Sequence, residues 1–151
     1  MKLDGSYTFE APRQVVWDTL QDPEALKKCI PGVETFEEIG QDEYQTRMKI
    51  GVASIKGTYS AKIRAFDKQE PSHYKLGIDA TGTPGFVRGE GTFDLVEDAP
   101  GQTTVKWEAD AQVGGLVAGV GQRMLSGVAK MTVGQLWKAM DGQIKEKQGT
   151  A

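Results

Sequence analysis

At 151 residues, with 18 basic and 21 acidic side chains and a net charge of −3, the chain reads as one domain long enough to bury a core. Its basic residues are too scattered to suit nucleic acid. One cysteine, Cys29, excludes an internal disulfide, and one histidine, His73, leaves no paired-histidine metal site.

The chain opens on a strand over Lys2–Glu10, with Leu3, Tyr7 and Phe9 on one parity. Gly5 shares that parity and is expected to bend the strand or admit a neighbour. Pro12 starts a first helix, buried through Val15, Val16, Trp17 and Leu20. Asp22-Pro23-Glu24 supplies an N-cap, a proline and an acidic first turn for a second helix over Pro23–Lys28. After Pro31-Gly32 a strand follows at Val33–Ile39. Five longer strands are expected at Glu43–Ala53, Ser54–Phe66, His73–Gly82, Val87–Val96 and Thr103–Gly114, joined by turns bearing proline and glycine. From Leu116 to Lys147 the spacing turns helical. Val117, Val120, Met124, Val128 and Met131 form one strip, and Leu125, Ala129, Leu136, Met140 and Ile144 the next. Gly119, Gly121, Gly127, Gly134 and Gly142 interrupt this helix and are expected to pack closely on a sheet rather than loosen a lid.

From Tyr44 to Val113 every strand presents one apolar face, and that face is unusually small. Gly57, Ala61, Ala65, Ala80, Gly89, Gly91, Ala109 and Ala111 share it with Tyr59, Ile63, Ile78, Phe93 and Trp107. Strict alternation marks strands with one side buried and the other wet. Short connections make the run antiparallel, and the final helix must cover its concave side. The expected fold is α+β, a single helix-grip domain over residues 1–151. In it a curved antiparallel sheet of about seven strands wraps around a long C-terminal helix, with two short helices after the first strand.

A small inner face leaves space that a ligand can occupy. Its contacts are expected from Ile50, Tyr59, Ile63, Ile78, Phe93 and Trp107 on the strands, and from Met124, Val128 and Met131 on the last helix. Flexible thioethers suit an adaptable lining, and Tyr44, Tyr59, Tyr74 and Trp107 offer the few polar contacts that orient an apolar guest. The mouth is expected at Pro31 and Gly32 together with Pro84 and Phe86.

No catalytic or metal-binding residue is expected. Asp79, Glu90, Asp94, Glu108 and Asp110 fall on the outer parity with Lys49, Lys56, Lys62, Arg64 and Lys106, where they form charge pairs on a wet face rather than an acid–base pair in a cavity. Cys29 lacks a neighbouring base in the sequence and reads as a small core residue. No cofactor is expected from the residues themselves. Met1-Lys2-Leu3-Asp4 opens directly into patterned sequence, and no stretch approaches the roughly 18 apolar residues of a membrane span, so a cytoplasmic location is expected.

Leu26-Lys27-Lys28-Cys29-Ile30-Pro31-Gly32-Val33-Glu34 carries a "CIPG" segment. Gly82-Thr83-Pro84-Gly85, Gly89-Glu90-Gly91 and the run Gly114-Gly115-Leu116-Val117-Ala118-Gly119-Val120-Gly121-Gln122-Arg123-Met124 add glycine-rich pieces. In these segments, and in its order of elements, the chain resembles the carbon monoxide dehydrogenase G-subunit family, within the polyketide cyclase/START-like (SRPBCC) superfamily. The resemblance implies a non-catalytic accessory protein of an aerobic carbon monoxide dehydrogenase-type molybdenum hydroxylase. It also implies a lipophilic small molecule, quinone or lipid, in the cavity and recruitment of the enzyme to the membrane. Some relatives carry a hydrophobic C-terminal extension that is not found before Ala151, so the contact expected is transient and peripheral, at the inner face of the membrane. Two other readings stand beside this one: a cyclase- or lyase-type enzyme using the same cavity, and an interaction subunit whose core is filled.

Overall fold

In the computed structural model, which describes residues 1–51 and 55–148, the alternating segments form a single antiparallel sheet. Its seven strands are β1 (Lys2–Phe9), β2 (Val33–Gly40), β3 (Glu43–Ile50), β4 (Gly57–Gln69), β5 (His73–Gly82), β6 (Gly85–Ala99) and β7 (Gln102–Gly115). They lie in the order β1-β7-β6-β5-β4-β3-β2. Helices α1 (Arg13–Leu20) and α2 (Pro23–Cys29) follow β1, and the long α3 (Gln122–Lys147) follows β7. This is the helix-grip arrangement that the alternation predicts. The expected join at Ala53 and Ser54 lies outside the described residues.

Local chemistry accounts for most boundaries. The Asp22 carboxylate accepts a hydrogen bond from the Glu24 backbone N–H at 3.0 Å, capping α2 as the Asp-Pro-Glu run predicts. Thr83-Pro84 and Pro100-Gly101 suffice as turns, so the β6–β7 ladder runs from Gly85↔Gly115 to Ala99↔Gln102, longer at both ends than expected. The largest correction falls at the last helix. Leu116–Val120 form a 3₁₀ turn, Gly121 takes φ of 100°, and α3 starts only at Gln122. Val117 is buried and its N–H donates to the Pro84 carbonyl at 2.9 Å, which ties this turn to the β5–β6 hairpin. Val117, Val120 and Met124 keep helical spacing across the break, and the sequence therefore reads as continuous.

The glycines of α3 and of the turn before it correct a second expectation. A Cβ placed on Gly119, Gly121, Gly127, Gly134 or Gly142 meets nothing within 4 Å, so none of them marks close packing on the sheet. Gly127→Ala and Gly142→Ala, both at exposed helical positions, are each expected to stabilise the fold by about 1 kcal/mol. Calorimetry checks this as a rise in Tm of about 2–4 °C per substitution.

The main core lies between α3, α1 and the β1–β7 side of the sheet. Phe9, Val16, Trp17, Leu95, Val105, Trp107, Trp137, Met140 and Ile144 are buried together there. A second cluster of Ile55, Tyr59, Val117 and Leu125, backed by Ile50, Val113 and Val128, closes the region where the 3₁₀ turn meets the sheet. Between the two, the middle strands are not filled by α3.

Candidate ligand-binding cavity

That gap is a cavity of about 250 Å³. Its floor is the inner parity of the sheet: Phe36 of β2, Tyr44 and Met48 of β3, Ala61, Ile63 and Ala65 of β4, Tyr74, Leu76, Ile78 and Ala80 of β5, and Phe93 of β6. Thr132, Val133, Leu136, Trp137 and Met140 of α3 form the opposite wall, and Leu20, Gln21, Leu26, Ile30 and Pro31 close one end.

Two features of the sequence create this space. The Trp137 ring stacks on Tyr7 at 6.3 Å and meets Phe9 edge-on at 6.0 Å, which draws α3 toward β1. Across from it, Ala61, Ala65 and Ala80 are too small to reach the helix. For scale, an apolar cavity of roughly 150 Å³ holds a benzene ring. Ile78 stays 42% exposed on the floor, so the chamber is not sealed there.

The walls carry no charge. Among the described residues, no Asp, Glu, Lys, Arg or His lines the cavity. Burial pushes the Tyr74 phenol up, and it pushes up Tyr44 as well, where Glu38, Asp42 and Asp22 act in the same direction. Both therefore remain neutral O–H groups at ordinary pH. The Thr132 hydroxyl is already committed to the Val128 carbonyl at 2.9 Å. Tyr74 and Phe93 stack at 4.9 Å and give the floor a flat aromatic section.

The expected site residues divide. Ile63, Ile78 and Phe93 lie on the floor, and Pro31 on the end wall. Ile50, Tyr59 and Val128 belong instead to the second cluster, where the Tyr59 hydroxyl donates to the Ile55 carbonyl at 2.7 Å. Trp107 fills the main core: its ring lies over Gly5, where a Cβ would stand 2.9 Å from Cζ2, so Gly5 admits a neighbour. Met124 and Met131 are exposed rather than lining. The residues expected at the mouth divide as well. Gly32 lies beside Pro31, but Pro84 is buried under the 3₁₀ turn, and Phe86 lies beneath the Arg88 guanidinium at 4.8 Å. Gln21, Phe36, Met48, Val133 and Trp137 are among the lining residues that the expected site misses. A signal for Trp137 is present, since Val133, Leu136, Trp137 and Met140 repeat at helical spacing.

The carboxylates expected on the outer face are all exposed there. Arg88 reaches Asp79 at 3.4 Å, and His73 Nδ1 meets Asp94 at 2.7 Å. Such exposed pairs contribute at most about 1 kcal/mol each. A wider trough of about 770 Å³ on that side is bordered by both signs, including Lys62, Arg64, Glu90 and Asp110, and reads as a solvated face. Cys29 is buried in the main core, and burial pushes its thiol up, only partly offset by Lys28. That is the opposite of what a nucleophilic thiolate needs. Among the described residues, no cluster of His, Cys, Asp and Glu could hold a metal ion, and no helix is long and apolar enough to cross a membrane.

Similar proteins place this geometry in a family. The model of the carbon monoxide dehydrogenase G-subunit (CoxG) family matches residues 5–145. The crystal structure of a conserved protein from Geobacillus kaustophilus is similar at 40% identity and a TM-score of 0.94, covering 97% of this chain and 96% of that one. A START superfamily protein from Mycobacterium smegmatis shares the fold at 15% identity and a TM-score of 0.75, covering 96% of this chain and 97% of that one. The ZhuI aromatase/cyclase from Streptomyces sp. R1128 does so at 17% identity and 0.69, covering 97% and 94%. A comparison with curated proteins found no match. On a match running through nearly every element described above, the chain belongs to the carbon monoxide dehydrogenase G-subunit (CoxG) family.

Proposed function

We propose that this protein is a non-catalytic accessory component of an aerobic carbon monoxide dehydrogenase-type molybdenum hydroxylase. It holds a quinone or lipid in its cavity and links the enzyme to the membrane. The observation that carries the reading is the largely enclosed, uncharged and almost wholly apolar chamber between the middle strands and α3. Family membership supports this class of enzyme. With no titratable carboxylate, lysine or histidine on the described walls, the chamber suits a container better than a cyclase or lyase.

Membrane contact is supported by a different part of the molecule. Leu116 is 73% exposed and Met131 51%, and Met124 is exposed between them. From Leu116 to Met140 the sequence contains Arg123, Lys130 and Lys138 but no acidic residue. Exposed apolar side chains among basic ones are what an anionic bilayer surface attracts.

Uptake tests the reading. The full chain is incubated with vesicles of bacterial lipid extract containing quinones, separated by gel filtration and examined by native mass spectrometry. The expected result is a discrete mass increment from one apolar molecule. A chain that returns at its bare mass overturns the proposal.

A further inference from the structure

Among the described residues, two buried side-chain nitrogens have no hydrogen-bond partner: Gln21 Nε2 and Trp137 Nε1. Both residues line the same apolar cavity. More than nine in ten buried polar groups in native structures are paired, so two orphan donors among the residues lining one cavity ask for an acceptor.

The Trp137 ring cannot readily turn away to find one. Trp137 is 4% exposed, and its ring is held by Tyr7, Phe9 and Phe93 at centroid distances of 6.3, 6.0 and 6.4 Å. Gln21 sits at the α1–α2 junction with its backbone fixed on both sides. Its N–H donates to the Trp17 carbonyl at 3.0 Å, and the next N–H, of Asp22, to the Thr19 carbonyl at 3.2 Å. An indole N–H can only donate, and a glutamine amide offers a donor beside its own acceptor. With no charge on the walls, the matching group is a neutral oxygen rather than a carboxylate or phosphate.

We propose that Trp137 Nε1 and the Gln21 amide together select a cavity ligand bearing an uncharged carbonyl oxygen over a plain hydrocarbon of the same shape. This rests on the cavity being a ligand site, and it adds the chemical class that the site reads. A cyclic ketone and an acyl ester both supply such an oxygen.

Paired probes separate the possibilities. Binding of 1-tetralone is compared with tetralin, and methyl octanoate with decane, for the full chain and for Trp137→Phe and Gln21→Met. Expected is a loss of about tenfold in affinity for the carbonyl member of one pair in each variant, with the hydrocarbon changed less than about twofold. Which pair responds distinguishes a ring ketone from an acyl carbonyl. In the ¹⁵N–¹H spectrum the Trp137 indole proton, identified by its absence in Trp137→Phe, is expected to move downfield with the carbonyl probe and not with its hydrocarbon. If the variants weaken both members equally, or the indole proton does not respond, the donor assignment is overturned while the cavity remains a binding site. If no probe binds but lipid extract still adds mass to the chain, the carbonyl class alone falls. If neither probe nor extract binds, both proposals fall.

Discussion

Ala80→Phe is expected to abolish uptake of lipophilic probes while leaving the protein folded and no less stable. Ala80 lies on β5 between Ala61 and Val87 in register, and its methyl group faces the cavity. A phenyl ring there enters a chamber of about 250 Å³ and occupies much of what a ligand needs. Affinity for a neutral fluorescent probe such as N-phenyl-1-naphthylamine should fall at least about a hundredfold, or about 2.7 kcal/mol. The sign of the stability change separates a container from a filled core. Inserting a ring into tight packing costs roughly 1–3 kcal/mol, whereas a ring that fills existing space gains buried apolar area instead. An unchanged or raised Tm with lost binding identifies a container. A Tm lowered by several degrees with no probe binding in either protein identifies a packed core and removes the ligand-carrying role.

The same contrast explains how much can be read without a structure. The sheet is legible because alternation has a period of two, and Gly and Ala on one parity from Tyr44 to Val113 already say that the inner face is shallow. Strand order follows from the short turns. What alternation does not encode is where a covering helix lies across a sheet. Two apolar strips run along the last helix, and the lining residues expected from the sequence, Met124, Val128 and Met131, lie on the strip that is exposed or joined to the second cluster. The break at Gly121 and the aromatic pull of Tyr7 and Phe9 on Trp137 place the wall at Val133, Leu136, Trp137 and Met140 instead. Parity alone sends Tyr59 and Trp107 to the cavity. It gives the face of the sheet, but position along the strand decides which of three environments on that face a residue meets: the main core, the cavity or the second cluster. Gln21 is beyond pattern reading, because a glutamine at a helix junction looks like any solvated cap until its surroundings are known.

Gly32→Ala is expected to destabilise the protein by about 3 kcal/mol and to loosen the end wall of the cavity. Gly32 has φ of 71°, and a Cβ there would lie 2.2 Å from the Lys49 carbonyl oxygen, a backbone atom that cannot rotate aside. The left-handed conformation costs a non-glycine residue roughly 1–2 kcal/mol. Relieving the contact also pulls apart the Lys49 N–H to Gly32 carbonyl bond of 2.8 Å, worth about 0.5–1.5 kcal/mol. Gly101 provides an internal control. Its φ is 75°, nearly the same, but a Cβ on it meets nothing within 4 Å. Gly101→Ala should therefore show the conformational cost alone, and denaturant unfolding should find Gly32→Ala less stable than it by about 1–2 kcal/mol. Equal losses in the two variants would mean that the β2–β3 edge yields without cost. The consequence for function follows from chain position. Ile30 and Pro31 line the cavity, and Gly32 fastens them to β3 at Lys49. A shift there moves two wall residues at once, so probe affinity is expected to fall in Gly32→Ala and to stay unchanged in Gly101→Ala, whose turn lies away from the cavity wall.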